Sequence, residues 1–256
     1  MKQKERARVL EQKQIAPAIY DMWIETSLAS QARPGQFICI YPKDKSTLLP
    51  RPISICEVRE DRKALRIVYR VAGAGTAEFS GYGTDETISV LGALGNGFPL
   101  EEARGKKVFL MGGGIGVPPI LELAKQMDAD KLIYVGYRDG NTFLRDDFEK
   151  YGKVFIATED GSVGAKGNVM NAVTESGLTA DVIYACGPMP MLRAIKMYAA
   201  EHHIKAYISL EEHMACGVGA CLGCVVKTKE IDHHSHVHNA RICTDGPVFE
   251  ADEVEI

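Results

Sequence analysis

Four cysteines near the carboxyl terminus carry the most specific chemical signal in this chain of 256 residues. Three share one stretch, Cys216-Gly-Val-Gly-Ala-Cys221-Leu-Gly-Cys224, and Cys243 follows after 18 intervening residues. The spacing C-x4-C-x2-C…C is that of plant-type [2Fe–2S] ligation. Four thiolates around two irons leave a negative centre, so the loop must turn backbone N–H groups inward and keep bulky side chains out. Gly217, Gly219, Ala220 and Gly223 suit both needs. Structural zinc is the alternative, since His233, His234, His236 and His238 lie in the interval. Zinc, however, usually takes its ligands as two separated pairs, whereas here three share one glycine-rich loop. The spacing therefore favours iron–sulfur, and the histidines read as a solvated loop or an incidental metal-binding tract.

Weaker signals lie upstream. Met111-Gly112-Gly113-Gly114-Ile115-Gly116-Val117-Pro118-Pro119 is a glycine loop between an apolar run and a helical one. Such a loop lets backbone approach a pyrophosphate at a helix N-terminus, and proline suits the first helical turn. It departs from G-x-G-x-x-G, and a tight structural turn is the alternative. Ala185-Cys186-Gly187-Pro188 ends another apolar run, where ligands of open α/β sheets gather. A free cysteine there is as readily a small buried hydrophobe. Arg51-Pro52-Ile53-Ser54 could clamp phosphate and offer a hydroxyl to a ring edge. Val68-Tyr69-Arg70 with Gly73-Ala74-Gly75-Thr76 could supply donors to a second phosphate. Taken singly each is weak: an arginine such as Arg51 is more often a surface charge, and Gly-Ala-Gly more often a turn.

The elements that must position these residues follow two grammars. Up to about residue 100 the chain reads as short strands between turn signals: Ala18 to Ile24, Gln36 to Tyr41, Leu65 to Val71 and Thr87 to Leu91. That pattern suggests a small antiparallel barrel or sandwich. From Val108 strands alternate with helices: strands at Val108–Met111, Leu132–Tyr137, Val154–Thr158, Val182–Cys186 and Ala206–Leu210, with helices ending near Met127 and His202. Alternation at this spacing means a parallel sheet covered by helices. The expected division is a β-barrel over 1–100, an α/β domain over 101–210 and a small metal module over 211–256.

Composition sets the limits. Hydrophobic residues make up 46% and charged residues 25%, which is globular rather than disordered. A net charge of −4 gives no electrostatic footprint for nucleic acid or anionic lipid. No apolar run approaches the ~18 residues of a membrane span. The charged first 13 residues lack the apolar core of a secretory signal. With Cys39, Cys56 and Cys186 the cysteines number seven, and an odd count without a leader argues against a disulfide framework. A cytoplasmic protein is expected.

Taken in order, R-x-x-S (Arg51 to Ser54), G-x-G-x-x-P (Gly114, Gly116, Pro119) and C-G-P (Cys186, Gly187, Pro188) resemble the ferredoxin–NADP reductase superfamily. With the terminal cysteines, the chain from about 15 to 249 is similar to the electron transfer subunits of NAD-linked dihydroorotate dehydrogenases. Supporting stretches are Gly92-Ala-Leu-Gly-Asn-Gly-Phe98, Thr158-Glu-Asp-Gly-Ser162 and Glu211-Glu-His-Met-Ala-Cys216.

The resemblance implies an FAD-binding antiparallel barrel, a nicotinamide-binding parallel-sheet domain and a [2Fe-2S] module. FAD contacts would be Arg51, Pro52, Ile53, Ser54, Val68, Tyr69, Arg70, Gly75 and Thr76. NAD(H) would be met by Gly114, Gly116, Pro119, Cys186 and Gly187, and iron by Cys216, Cys221, Cys224 and Cys243. It further implies a partner, an FMN-containing catalytic subunit that oxidises dihydroorotate, in a heterotetramer of two chains each. The same cofactors would serve a subunit of an NADH-dependent ferredoxin-NADP reductase, a sulfide dehydrogenase or a hydrogenase. Arg138 and Asp139 follow the second α/β strand and leave NADH against NADPH undecided. Anaerobically prepared protein should show flavin and ferric–sulfide bands in its visible spectrum; a colourless protein holding zinc would overturn the redox reading.

Overall fold

The computed structural model describes residues 3–231 and 236–256. Strands β1 (Gln3–Ala16), β2 (Ile19–Glu25), β3 (Phe37–Tyr41), β4 (Arg51–Val58), β5 (Ala64–Arg70) and β6 (Thr87–Leu94) close an antiparallel barrel in the order β1-β2-β5-β4-β3-β6. A short helix, α1 (Ala74–Ser80), lies between β5 and β6. The barrel was legible in β2, β3, β5 and β6. The charged amino terminus, expected only to be no leader, is in fact the longest strand. Among its described side chains only Ala7 and Val9 are buried, and it pairs with both β2 and β6, so almost none of it carries an apolar alternation. The Arg51–Ser54 motif likewise opens a strand, with Pro52 near its start, where a missing N–H is tolerated.

The second unit runs β7 (Lys107–Gly113), α2 (Pro118–Gln126), β8 (Asp130–Tyr137), α3 (Arg145–Phe148), β9 (Lys153–Thr158), β10 (Ala165–Lys166), α4 (Val169–Ser176), β11 (Val182–Cys186), α5 (Met189–Glu201) and β12 (Lys205–Ser209). Helix α2 starts on Pro118-Pro119, which have no N–H to lose there. Helix α4 starts on Asn168, whose side chain accepts from the Met170 N–H. The sheet order is β10-β9-β8-β7-β11-β12, parallel throughout. Chain direction across the sheet reverses between β7 and β11, and a crevice opens at the carboxyl ends of those two strands. Among the described residues no helix is long and apolar enough to cross a membrane.

The carboxyl-terminal segment adds a hairpin, β13 (Val225–Lys227) with β14 (Asn239–Arg241), then β15 (Val248–Glu250). Strand β15 pairs antiparallel with β12 and becomes the sheet's seventh strand, so β12 is not the last strand as the sequence suggested. One apolar core accordingly joins Phe37, Cys39 and Leu94 of the barrel, Phe109 and Ile208 of the sheet, and Cys224, Cys243 and Phe249 of the terminal segment.

Asn96, just beyond β6, ties these parts together. Its amide nitrogen donates to the carbonyls of Asp245 and Val248 at 2.8 and 3.0 Å, and its oxygen accepts the Val248 N–H at 3.1 Å. Its own backbone N–H reaches the Gly246 carbonyl at 2.7 Å. Asn96→Ala should therefore lower unfolding free energy by about 2 kcal/mol in a denaturant titration, because a buried strand start loses its partners. A change within the scatter of surface substitutions would show that this tie carries no weight.

Candidate functional site

The crevice at the β7–β11 switch is built from two of the motifs. Gly114–Gly116 form a turn of 3-10 helix between β7 and α2, and Cys186-Gly187 end β11 beside it. A Cβ on Gly116 would stand 2.4 Å from the Cys186 carbonyl oxygen and 2.6 Å from the Gly187 nitrogen. Only glycine lets the two segments touch. Pro119 is buried in the first turn of α2. The Cys186 thiol is buried, and burial pushes its pKa far up, with Glu211 adding to the rise and Ser209 opposing it. It is a neutral wall group rather than a nucleophile.

A cavity of about 420 Å³ opens beside this crevice, within the range of small-molecule sites. The barrel gives it Pro52, Ile53 and Ser54 from β4 and Val68, Tyr69 and Arg70 from β5. Tyr69 is held from behind: it stacks on Tyr20 at 5.9 Å, and its hydroxyl donates to Gln12 Oε1 at 2.7 Å. Across the cavity stand Ile115 of the glycine loop, Ser209 and Leu210 from the end of β12, and Glu211 to Met214.

Arg51, Gly75 and Thr76 are not among the residues lining the cavity. Arg51 Nη1 donates to the Leu49 carbonyl at 2.6 Å, and its guanidinium covers Gly75 so closely that a Cβ there would meet Nε at 2.8 Å. The Thr76 hydroxyl accepts the N–H groups of Ala72 and Gly73 and donates to the Gly73 carbonyl at 3.1 Å. It secures the start of α1 rather than projecting a free donor, and Gly73–Thr76 is a helix start rather than a simple turn. The first-turn N–H groups of α1 have no acceptor within the helix, so this patch still presents donors.

The thiol loop is the direct continuation of the cavity wall. Met214 lines the cavity, Cys216 lies two residues on, and Pro247, four residues after Cys243, lines it as well. Backbone N–H groups point at the sulfurs as the glycine content implied. Val218 and Ala220 donate to Cys216 Sγ at 3.4 and 3.3 Å, and Gly219 donates to Cys243 Sγ at 3.2 Å. Burial alone would raise the Cys216 thiol, but the N–H groups of Val218, Cys221 and Ala220, with the Cys221 side chain, bring it down to about 6. Cys243 is pushed up to about 12 by burial and by Cys224. Gly217, with φ +67°, is seated on the barrel; a Cβ would fall 3.0 Å from Cys39 Sγ. Burial, with the neighbouring thiols, raises Cys39 to about 12, which keeps it a neutral packing group.

Among the described residues no three His, Cys, Asp or Glu side chains converge as one ion would require. Cys221 acts on the Cys216 thiol, and Cys224 on the Cys243 thiol. Sulfurs that accept several backbone N–H groups suit the negative charge of an iron–sulfur centre. Of the histidines, His236 and His238 are exposed between β13 and β14, and His233 and His234 lie outside the described residues. Arg138 and Asp139 follow β8, where Asp139 accepts the backbone N–H and the side-chain amide of Asn141 at 2.9 and 2.7 Å. The wall from Ser209 to Met214 and Pro247 was not read as a site from sequence. Its signal was adjacency, since Glu211–Cys216 runs straight into the first cysteine.

Residues 211–255 match the family profile of the iron–sulfur cluster binding domain of dihydroorotate dehydrogenase B. Over 99% of both chains the protein is 40% identical to the dihydroorotate dehydrogenase B (NAD⁺) electron transfer subunit of Geobacillus sp.. It is 42% identical to that of Caldanaerobacter subterraneus, again over 99% of each chain. Among solved structures it superposes on an NADH-dependent reduced ferredoxin-NADP oxidoreductase with a TM-score of 0.87 and 27% identity, covering 97% of this chain and 89% of that one. Identity at this level over the whole length, with the match of residues 211–255 to the iron–sulfur domain profile, makes the chain a member of the family of electron transfer subunits of NAD⁺-linked dihydroorotate dehydrogenase B.

Proposed function

We propose that this chain carries electrons between the FMN of a separate dihydroorotate-oxidising subunit and NAD⁺, serving de novo pyrimidine (UMP) synthesis. FAD is the carrier able to exchange a hydride with nicotinamide and single electrons with a [2Fe–2S] cluster, so both belong in one chain. The observation that carries the reading is the continuity of cavity and thiol loop. One segment, from Ser209 at the end of β12 through Met214, lines the cavity and ends on Cys216.

In this reading Pro52, Ile53 and Ser54 with Val68, Tyr69 and Arg70 hold the flavin ring system, and Arg51, Gly75 and Thr76 meet its phosphates at the first turn of α1. Gly114, Gly116 and Pro119 with Cys186 and Gly187 receive the nicotinamide cofactor, and Cys216, Cys221, Cys224 and Cys243 hold the irons. Each group binds, orients or excludes water; none has to take or give a proton. Burial with no partner charge to relieve it keeps the Cys186 thiol protonated beside the nicotinamide. We assign residues 1–100 to flavin binding, 101–210 to NAD binding and 211–256 to the cluster, with β15 lending an edge to the NAD sheet. Two copies joined to two catalytic chains complete the assembly, and seven unpaired cysteines suit the cytoplasm.

A second reading follows from the superposition on the NADH-dependent ferredoxin-NADP oxidoreductase, in which the same carriers would serve another partner. The 40% identity over the whole length favours the dihydroorotate assembly. The purified chain, loaded with its cofactors, should oxidise NADH with artificial acceptors and form no orotate until the catalytic subunit is added; orotate formation by the chain alone would overturn the division of labour. Gly116→Ala, which forces the glycine loop off Cys186, should raise the KM for NADH by about tenfold or more while leaving iron content intact. An unchanged KM would remove the crevice from nicotinamide binding.

A further inference from the structure

Strand β4 and helix α2 carry the two halves of the proposed reaction, and they are joined by a polar grip well away from the cavity. Strand β4 begins with Pro52–Ser54 and ends at Val58; α2 begins just after the Gly114–Gly116 turn. On α2, Glu122 is 1% exposed and its Oε2 accepts the Val58 N–H at 2.8 Å. One turn later Lys125 Nζ donates to the Val58 carbonyl at 2.8 Å and to Glu57 Oε1 at 3.1 Å. A single residue of the flavin strand, Val58, is thus held at both its N–H and its C=O by side chains of the nicotinamide helix.

The grip is extended by Arg66 of β5. Its guanidinium spans Asp21 at 3.0 and 2.8 Å, Glu57 at 3.2 Å and, across the boundary on α3, Asp147 at 3.1 Å. Every carboxylate in this set has a named donor: Lys150 meets Asp147 and Lys13 approaches Asp21 at 3.9 Å. Arg66 and Asp21 are well buried while Lys13 and Lys150 reach solvent, and such a network adds little stability over apolar packing of the same shape. Apolar packing between the units is already present, where Cys56, Val68 and Phe98 of the barrel side meet Ile120, Leu121 and Leu123 of α2. What the polar contacts add is register. Apolar side chains tolerate sliding along a strand, whereas contacts to the N–H and C=O of one chosen residue do not. A slip of one residue would move the helix by about 3.3 Å, as much as the whole approach distance of reacting atoms.

We propose that Glu122 and Lys125 are positioning residues: by gripping Val58 at its N–H and its C=O they fix the height of the nicotinamide helix along the flavin strand, and with it the separation of the two redox rings. This rests on the functional reading above. No residue of the grip lines the cavity, so its effect reaches the rings only through β4 and α2.

The test is anaerobic stopped-flow of the full chain with its flavin bound, mixing Glu122→Leu, Lys125→Met and Glu122→Gln with NADH and with NADH deuterated at the transferred position. Glu122→Leu and Lys125→Met should slow flavin bleaching at saturating NADH by about ten- to a hundredfold, with flavin content unchanged and a larger deuterium isotope effect on bleaching. Glu122→Gln keeps an oxygen for the Val58 N–H and should recover to within about threefold of the unsubstituted chain. Bleaching at the unsubstituted rate in both disruptive variants overturns the proposal. So does a loss that merely tracks released flavin or a lowered Tm, with Glu122→Gln no better than Glu122→Leu. If NADH fails to bleach the flavin of the unsubstituted chain, the functional reading itself falls and this inference falls with it.

Discussion

The structure depends on a short covalent tether. Strand β12 ends at Ser209, and the first thiol of the cysteine loop is Cys216, so the wall of the cavity and the loop of sulfurs cannot separate. A chain that must bring a hydride-accepting ring and a one-electron centre close together could do so by domain docking. This one does it by peptide bonds at one side and by return at the other, where Cys243 is followed by Pro247 in the cavity wall and by β15 on the sheet edge. The loop between them is then free to serve the sulfurs alone, and its N–H groups do so.

Packing locks that tether in place. The terminal segment shares one core with barrel and sheet, so the sulfur loop is a wedge between them rather than an appendage. Gly217 rests against Cys39 and Leu94, and Asn96 holds the backbone of Asp245 and Val248. On the far side of the barrel the grip on Val58 does the corresponding work for the nicotinamide helix. Polar contacts at both places choose a register, while apolar burial supplies most of the free energy.

Much of this was legible in the residues. The sulfur loop was readable because metal ligation constrains spacing directly, and Val182–Cys186 because an apolar run bounded by turn signals has few alternatives. Strand β1 was not readable, since a strand whose buried side chains, among those described, are Ala7 and Val9 leaves too little period in its sequence. Strand β15 was hidden for another reason: three residues carry no pattern, and their pairing with β12 is settled by tertiary contact. In the site, motifs found the floor of the cavity at Pro52–Ser54 and Val68–Arg70, but its opposite wall at Ser209–Met214 has no repeat or spacing to betray it. Thr76 shows the converse, a residue whose type suggested a ligand donor and whose hydroxyl is spent on the start of α1.

The central claim is that cavity and sulfur loop form one electron-carrying unit within this chain. Anaerobic titration with NADH, followed by electron paramagnetic resonance, tests it most directly. NADH alone should bring up the signal of a reduced [2Fe–2S] cluster in step with flavin bleaching, in protein holding two irons per chain. Flavin that bleaches while the iron centre stays silent, or protein in which the four cysteines hold a single zinc, would contradict it.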